Sequence, residues 1–406
     1  MMAPKLWNRN YCCVMAANFA LFFAFYLLTP LLPMYLVERF DATKDVVGMV
    51  LSGYTLTALL ARPFSGFLVD TFPRKRVLMV CFALFVVFFG GYLGAGSLLL
   101  FTIVRTLHGA PFGALTVANS TVAIDVLPSE RRGEGIGYYG LSNNLAMAIA
   151  PTVAIYVYRA TASFELLFWL ALIIAALGMA VDSAVKVRTG REGAGGRVPA
   201  AQAEAGGWLR LDRFFLLRGW LLAVNMVFFG FCFGVLSNYV AIYSHDVMGI
   251  TGGTGTWFLL LSLGLVASRL SGAKSLREGR MVRNAAQGVV VSSVAYSLFV
   301  LSPNAAGYYL SALLLGLGNG HIWPAFQNMI ISLAHHNERG TANSTLLISW
   351  DVGIGLGVVA GGVVAEHLGY MAAFGITAVM QLAGTVLFFV ATRQFYQRVS
   401  VQLQAA

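Results

Sequence analysis

Two charged side chains sit where charge is costly. Asp351 and Arg105 are the acid and base that fall within long apolar stretches once every other charge is assigned to a loop or a stretch end. An ionisable group at mid-bilayer costs about 2.5–3.5 kcal/mol on insertion scales, so its presence calls for a use. Asp351 lies roughly 15 Å along its helix at 1.5 Å per residue, close to the midplane. A carboxyl there can take a proton when open to one side and lose it when open to the other; a neutral carboxyl bonded between helices is the bland alternative. Arg105 lies about ten ångströms below the outer surface, within reach of a cavity or, by snorkelling, of the head groups. His321 follows Gly316-Leu-Gly-Asn-Gly320 beside Trp323 and Pro324. It either binds substrate, takes a proton, or is a structurally satisfied histidine. Asn18, Asn144 and Asn225, with Asn143 and Asn238, line a cavity or bridge helices. Tyr26, Phe229, Phe233, Tyr239 and Trp350 offer an apolar, stacking-capable lining.

Enzyme chemistry finds little support. Gly316-Leu-Gly-Asn-Gly320 and Gly353-Ile-Gly-Leu-Gly357 lie inside apolar helices with no strand before them, which makes them weak nucleotide signals. No G-x-x-x-x-G-K-[ST] loop is present, which argues against an ATP-driven pump. His335-His336 reads as a solvated pair. The four cysteines (Cys12, Cys13, Cys81, Cys232) stand within or at the start of apolar segments and suggest neither a disulfide framework nor a metal site. No cofactor and no metal are expected.

The elements that position these residues are membrane helices. The chain of 406 residues is 58% hydrophobic and 11% charged, with mean hydropathy +0.75, whereas soluble domains carry roughly a quarter charged residues. Apolar runs of bilayer-spanning length predict an all-α integral membrane fold of about twelve transmembrane helices, at 11–36, 46–68, 77–95, 98–123, 135–158, 164–185, 216–243, 254–272, 284–301, 306–332, 341–365 and 369–392. The first is too long for a signal peptide's apolar core and holds Asn18 and Pro30, so it reads as an uncleaved helix. With the N-terminus inside, the 27 Lys+Arg divide into 23 inside, three outside (Arg39, Lys44, Arg159) and Arg105 within a helix. That bias places both termini in the cytoplasm. The net charge of +10 then follows from topology and contact with the lipid bilayer, with no nucleic-acid partner.

The polar stretch 186–215 reads as a flexible cytoplasmic linker between six helices (1–185) and six more (216–406). A shift of 207 residues superposes the halves: Asn18 on Asn225, Gly48 on Gly255, Arg62 on Arg269, Gly109 and Gly113 on Gly316 and Gly320, Arg132-Gly133 on Arg339-Gly340. Two parallel six-helix repeats mark one transporter architecture, with the substrate between them near the midplane.

After the second stretch comes Gly66-Phe-Leu-Val-Asp70-Thr-Phe-Pro73-Arg74-Lys75-Arg76. This resembles the helix 2–3 loop signature of the major facilitator superfamily, G-x-x-x-D-x-x-G-R-[RK]-[RK], departing at Pro73. The resemblance covers the whole chain. It implies two six-helix bundles rocking about a central cavity, with Asp70 and Arg74 forming a charge network with Asp125 that latches the protein while open outward. In the second half Leu276 and Ser332 replace the acids, so the latch is expected in one half. The basic triplet is expected to face the inner leaflet. Arg105-Thr-Leu-His108-Gly109 resembles the R-x-x-Q-G of the drug/proton antiporter branch with His108 for Gln; there the arginine would assist proton transfer or hold an anionic substrate group. In helix 5, Gly137 and Pro151 match that branch, while Ala146, Ala150, Ala154 and Ile155 replace glycines; helix 11 supplies Gly353, Gly357, Gly361 and Gly362 instead. The resemblance implies a secondary transporter for a small molecule, leaning to proton-coupled efflux of an organic or amphipathic compound. It further suggests a monomer in a prokaryotic plasma (inner) membrane. A proton-coupled uptake symporter for a sugar, peptide or organic anion is the alternative, and a channel or non-transporting receptor the alternative of another class.

Overall fold

A computed structural model describes residues 6–29, 31–42, 44–186, 214–250 and 253–405. The expected linker falls almost wholly on 187–213, outside the described residues. Among the described residues fourteen α-helices follow one another, and there is no strand. They are α1 (Arg9–Leu28), α2 (Leu32–Phe40), α3 (Lys44–Thr71), α4 (Arg74–Gly94), α5 (Leu98–Val126), α6 (Arg132–Thr161) and α7 (Phe164–Ser183), then α8 (Trp220–Ile242), α9 (Gly253–Arg277), α10 (Met281–Leu301), α11 (Ala305–Ser332), α12 (Arg339–Leu368), α13 (Tyr370–Leu387) and α14 (Arg393–Ala405). Each of the twelve apolar stretches falls on one long helix, except that the first divides between α1 and α2. A proline at position 30 has no N–H to continue the ladder.

Local chemistry sets several starts. Ser97, Ser163 and Asn304 each accept a hydrogen bond from the backbone N–H three residues on, capping α5, α7 and α11. Among the described residues, nine helical segments are long and apolar enough to cross a membrane. A tenth is added if the bent pair Gly255–Arg269 and Ser271–Arg277 counts as one span. The other two expected spans lie on α3 and α11, which carry polar groups such as Arg62, Asp70, Asn319 and Gln327. Val80, Leu84 and Val87 on α4, and Leu99, Ile103 and Leu107 on α5, are exposed at helical spacing. Such stripes suit lipid as the solvent.

The chain forms two compact units. The first comprises Met1–Arg131, Ser142–Leu216 and His336–Ser344; the second comprises Arg132–Leu141, Leu217–His335 and Thr345–Ala406. In the first, α3 crosses α5 so closely that a Cβ on Gly109 would collide with the Tyr54 carbonyl oxygen. In the second, α9 crosses α11 the same way, with Gly316 beneath the carbonyl of Leu261. These two pairs are related by the shift of 207 read from the sequence. The repeat is therefore one of packing, with small residues letting backbones touch in the absence of a hydrophobic drive between helices.

Candidate functional site

Asp70 stands in the last turn of α3, beyond the apolar stretch, and caps the start of α12. Its Oδ1 accepts from the Gly340 N–H at 2.8 Å, and its Oδ2 from the Thr341 N–H at 2.7 Å and the Thr341 hydroxyl at 2.9 Å. A carboxylate on a helix N-terminus satisfies orphan donors and complements the dipole. Asp70 can reach them because Gly66, one turn earlier, has no side chain. A Cβ there would sit 2.8 Å from Ser344 Cβ and 3.0 Å from the Gly340 carbonyl oxygen. Arg74 lies 3.5 Å from Asp70 and 2.5 Å from Asp125, and donates to the His336 carbonyl at 2.6 Å. Arg339 donates to the other oxygen of Asp125 at 3.1 Å. Asn343 donates to Ser120, and Ser344 to the Arg62 carbonyl at 2.5 Å. Thus the three expected latch residues meet, and they hold the 336–344 segment. Burial pushes the Asp70 carboxyl up to about 6, against the lowering pull of the Thr341 and Gly340 N–H groups and of Arg74.

The basic triplet behaves differently from the expectation that it faces the inner leaflet. Arg74 pairs with Asp70 and Asp125, Lys75 is half-buried and donates to the Asp182 backbone carbonyl, and Arg76 alone of the three is exposed. Asp125 pairs with both Arg74 and Arg339, which sequence spacing does not disclose. In the second unit, Ser332, at the place of Asp125, bonds the Tyr396 hydroxyl at 2.9 Å. A Cβ on Gly133 would lie 2.7 Å from the Leu276 carbonyl oxygen.

Arg105 does not snorkel. It is 6% exposed, donates to Tyr92 Oη at 3.1 Å, and rests with its Cζ 3.9 Å from the centre of the Tyr54 ring. Tyr92 Oη is 2.7 Å from His108 Nδ1. His108, read as the stand-in for a glutamine, is 1% exposed and stacks on Phe88, with ring centres 5.4 Å apart. His321 is satisfied on both ring nitrogens, by Asn284 Oδ1 at 2.9 Å and Ser271 Oγ at 3.1 Å. Asn284 also donates to its backbone carbonyl at 3.0 Å.

Asp351 is half-buried on α12, beside Trp350, whose ring meets those of Phe233 and Trp323. Asn18 donates to Ser142 Oγ at 2.8 Å and accepts from Asn119 at 3.1 Å. Asn225 donates to the Gly384 carbonyl at 2.9 Å. Both are buried helix bridges, whereas Asn144 is half-buried on α6. Gly137 leaves room for the Arg269 guanidinium, 3.4 Å from where a Cβ would stand, and Pro151 lies inside α6. The count that left Asp351 and Arg105 as the acid and base within the spans needs correction. Arg62, Arg269, Glu134 and Asp182 are each less than a tenth exposed. Helix-end charges are buried here by crossing helices that hydropathy does not show. Arg269 donates to the Gly320 carbonyl at 2.8 Å and shares a small cavity with Glu134, Tyr138 and Asn284.

Comparison with known proteins adds family context. The sequence pattern of the Major Facilitator Superfamily matches residues 14–320 and 285–402. The staphylopine export protein of Staphylococcus aureus (strain Mu50 / ATCC 700699) is 22% identical over 81% of this chain and 83% of its own. The maltose permease of Geobacillus stearothermophilus is 26% identical over 93% of each. The structure of the human organic anion transporter MFSD10 (TETRAN) superposes with a TM-score of 0.77 at 17% identity, covering 95% of this chain and 100% of that one.

Proposed function

This chain belongs to the Major Facilitator Superfamily, and from that premise we propose that it is a secondary active transporter exporting a small organic or amphipathic compound in exchange for protons. The observation that carries the alternating-access part is the Asp70 cap on α12. Three hydrogen bonds and three arginine pairs are concentrated on two carboxylates, and all are polar contacts that water can replace. A carrier needs such a bond set, because a ligand drives a conformational change only by binding the two states unequally. A few kcal/mol concentrated at one end is of the size that differential binding can overcome.

The outward direction rests on the Arg105-Thr-Leu-His108-Gly109 sequence and on the similarity to an export protein. Proton coupling rests on Asp351, a carboxyl half-buried in α12 beside an aromatic group. In this reading both termini face the cytoplasm of a prokaryotic plasma membrane and the protein works as a monomer. The test is a proteoliposome screen with an imposed pH gradient. Efflux driven by an inward proton gradient is expected. Accumulation with the gradient would make the protein a symporter and overturn the direction.

A further inference from the structure

Between the start of α8 and α14, the second unit carries a groove of about 400 Å³, lined on its apolar side by Leu217, Trp220, Phe395, Val399 and Leu403. That is the size of a ligand site. The three α14 residues recur at i, i+4 and i+8, which makes one stripe of the helix. The neighbouring stripe is already fixed: Thr392 and Tyr396 are buried, and the Tyr396 hydroxyl meets Ser332 Oγ at 2.9 Å. Trp220 packs on Phe395 with ring centres 6.0 Å apart, yet about half of Trp220 and of Leu217 stays exposed.

The groove is apolar, but it does not lie at hydrocarbon depth. Tyr370–Leu403 is a helical run of 34 residues. At 1.5 Å per residue it measures about 50 Å, against about 30 Å of hydrocarbon. Its α14 end carries Arg393, Gln394, Gln397 and Arg398, all exposed, and so belongs at head-group level. The groove's polar lining is Arg218 and Gln402. No acid occurs in the sequence from Phe214 to His245 or after Glu366, so the two segments that form the groove bring only positive charge to it.

We propose that this groove binds one anionic phospholipid, with an acyl chain on the apolar stripe and the phosphate on Arg218. The acyl chain covers surface that water would otherwise meet, and the phosphate gives the guanidinium a charge-assisted contact. A lipid without net charge leaves the basic rim unmatched, and a free phosphate leaves the apolar stripe bare. The bound lipid ties α14 to the start of α8. The inference needs only a membrane-spanning chain and goes beyond the cargo and direction proposed above.

The experiment uses the full chain, stripped of lipid in detergent, and reads Tm together with lipid retained per chain by native mass spectrometry. The probes are phosphatidylglycerol, phosphatidylcholine with the same acyl chains, and glycerol 3-phosphate. Phosphatidylglycerol is expected to raise Tm in a saturable way with one molecule retained, and phosphatidylcholine to be at least about tenfold weaker. Glycerol 3-phosphate should give no shift. Arg218→Gln should weaken phosphatidylglycerol about tenfold, whereas Arg283→Gln, at an exposed base of α10 outside the groove lining, should leave it unchanged. Val399→Trp fills the groove and should abolish retention with every charge in place, so either variant decides the matter if the other fails to fold. Equal shifts by the two lipids would overturn the anionic assignment, and the same shift by glycerol 3-phosphate would overturn the lipid. Equal weakening by Arg218→Gln and Arg283→Gln, or retention that survives Val399→Trp, would overturn the site. Binding that appears only after deletion of residues 190–207 would make the chain's own segment the occupant in place of lipid. A dimer dissociated by Val399→Trp would make it a second copy.

Discussion

In the proposed latch, Asp70 is the residue whose raised carboxyl would respond to acidity. Its carboxyl is raised from 3.8 to about 6 when it caps α12, whereas a solvated Asp70 titrates near the ordinary value. The state with the higher pKa binds more protons, so acid favours the latched state. That advantage is full below about pH 4 and is lost as pH rises through about 6. A cysteine at Ser344, which packs against Gly66, should therefore be labelled more slowly at pH 5 than at pH 7.5, relative to a cysteine at exposed Thr71. In Asp70→Asn that pH dependence should vanish, because the side chain no longer titrates. At Asp351 the expectation differs: Asp351→Asn removes titration but keeps shape. It should abolish transport driven by a pH gradient and spare substrate exchange. Wild-type driven transport in that variant would make Asp351 structural. Much of this was legible in the chain, because Gly66, Asp70 and Arg74 form a loop signature with fixed spacing. Their partners Arg339 and Thr341 were not, since a cap donor is a backbone group at the start of a helix and any residue can supply it. Tyr54 and Tyr92 were hidden for a related reason: an aromatic ring in an apolar helix gives no sign that it faces a cation.

At the scale of elements, helix crossings decide what the side chains can do. Gly66→Val would drive a branched side chain into Ser344 and the Gly340 carbonyl. The α3–α12 contact should open without unfolding the α3–α5 pair. The predicted outcome is a Tm within a few degrees of wild type but faster labelling at Ser344→Cys. Gly109→Val, by contrast, collides with the Tyr54 backbone inside a bundle and should cost about 1–3 kcal/mol of stability, read as a lowered Tm and poor yield. The shift of 207 residues paired Gly109 with Gly316 without saying what they do, and the structure places both where backbones touch, at the α3–α5 and α9–α11 crossings. The shift did not foretell that the first turns of α6 would group with the second unit and residues 336–344 with the first. Such exchanges follow from where helix ends point, which periodicity does not encode. Burial of Arg62, Arg269 and Asp182 escaped the reading for the same reason.

For the whole molecule, the distribution of bases predicts sidedness. Cysteines at Gly195 and Ala405, in a background lacking the native four, should resist an impermeant thiol reagent in intact cells and react after permeabilisation; labelling of either in intact cells would reverse the topology. Carrier and channel differ more fundamentally. A carrier exposes its site to one side at a time, so unlabelled cargo trapped inside a vesicle speeds entry of labelled cargo from outside. The decisive measurement is therefore counterflow in proteoliposomes, with benzoate, a neutral sugar and an amphipathic cation each tried as cargo and no ion gradient imposed. The account predicts a transient overshoot of labelled compound above its equilibrium level for at least one of them, reduced about tenfold or more in Asp70→Asn. Monotonic filling without overshoot for every compound that enters, unchanged by Asp70→Asn, would contradict alternating access and the latch together.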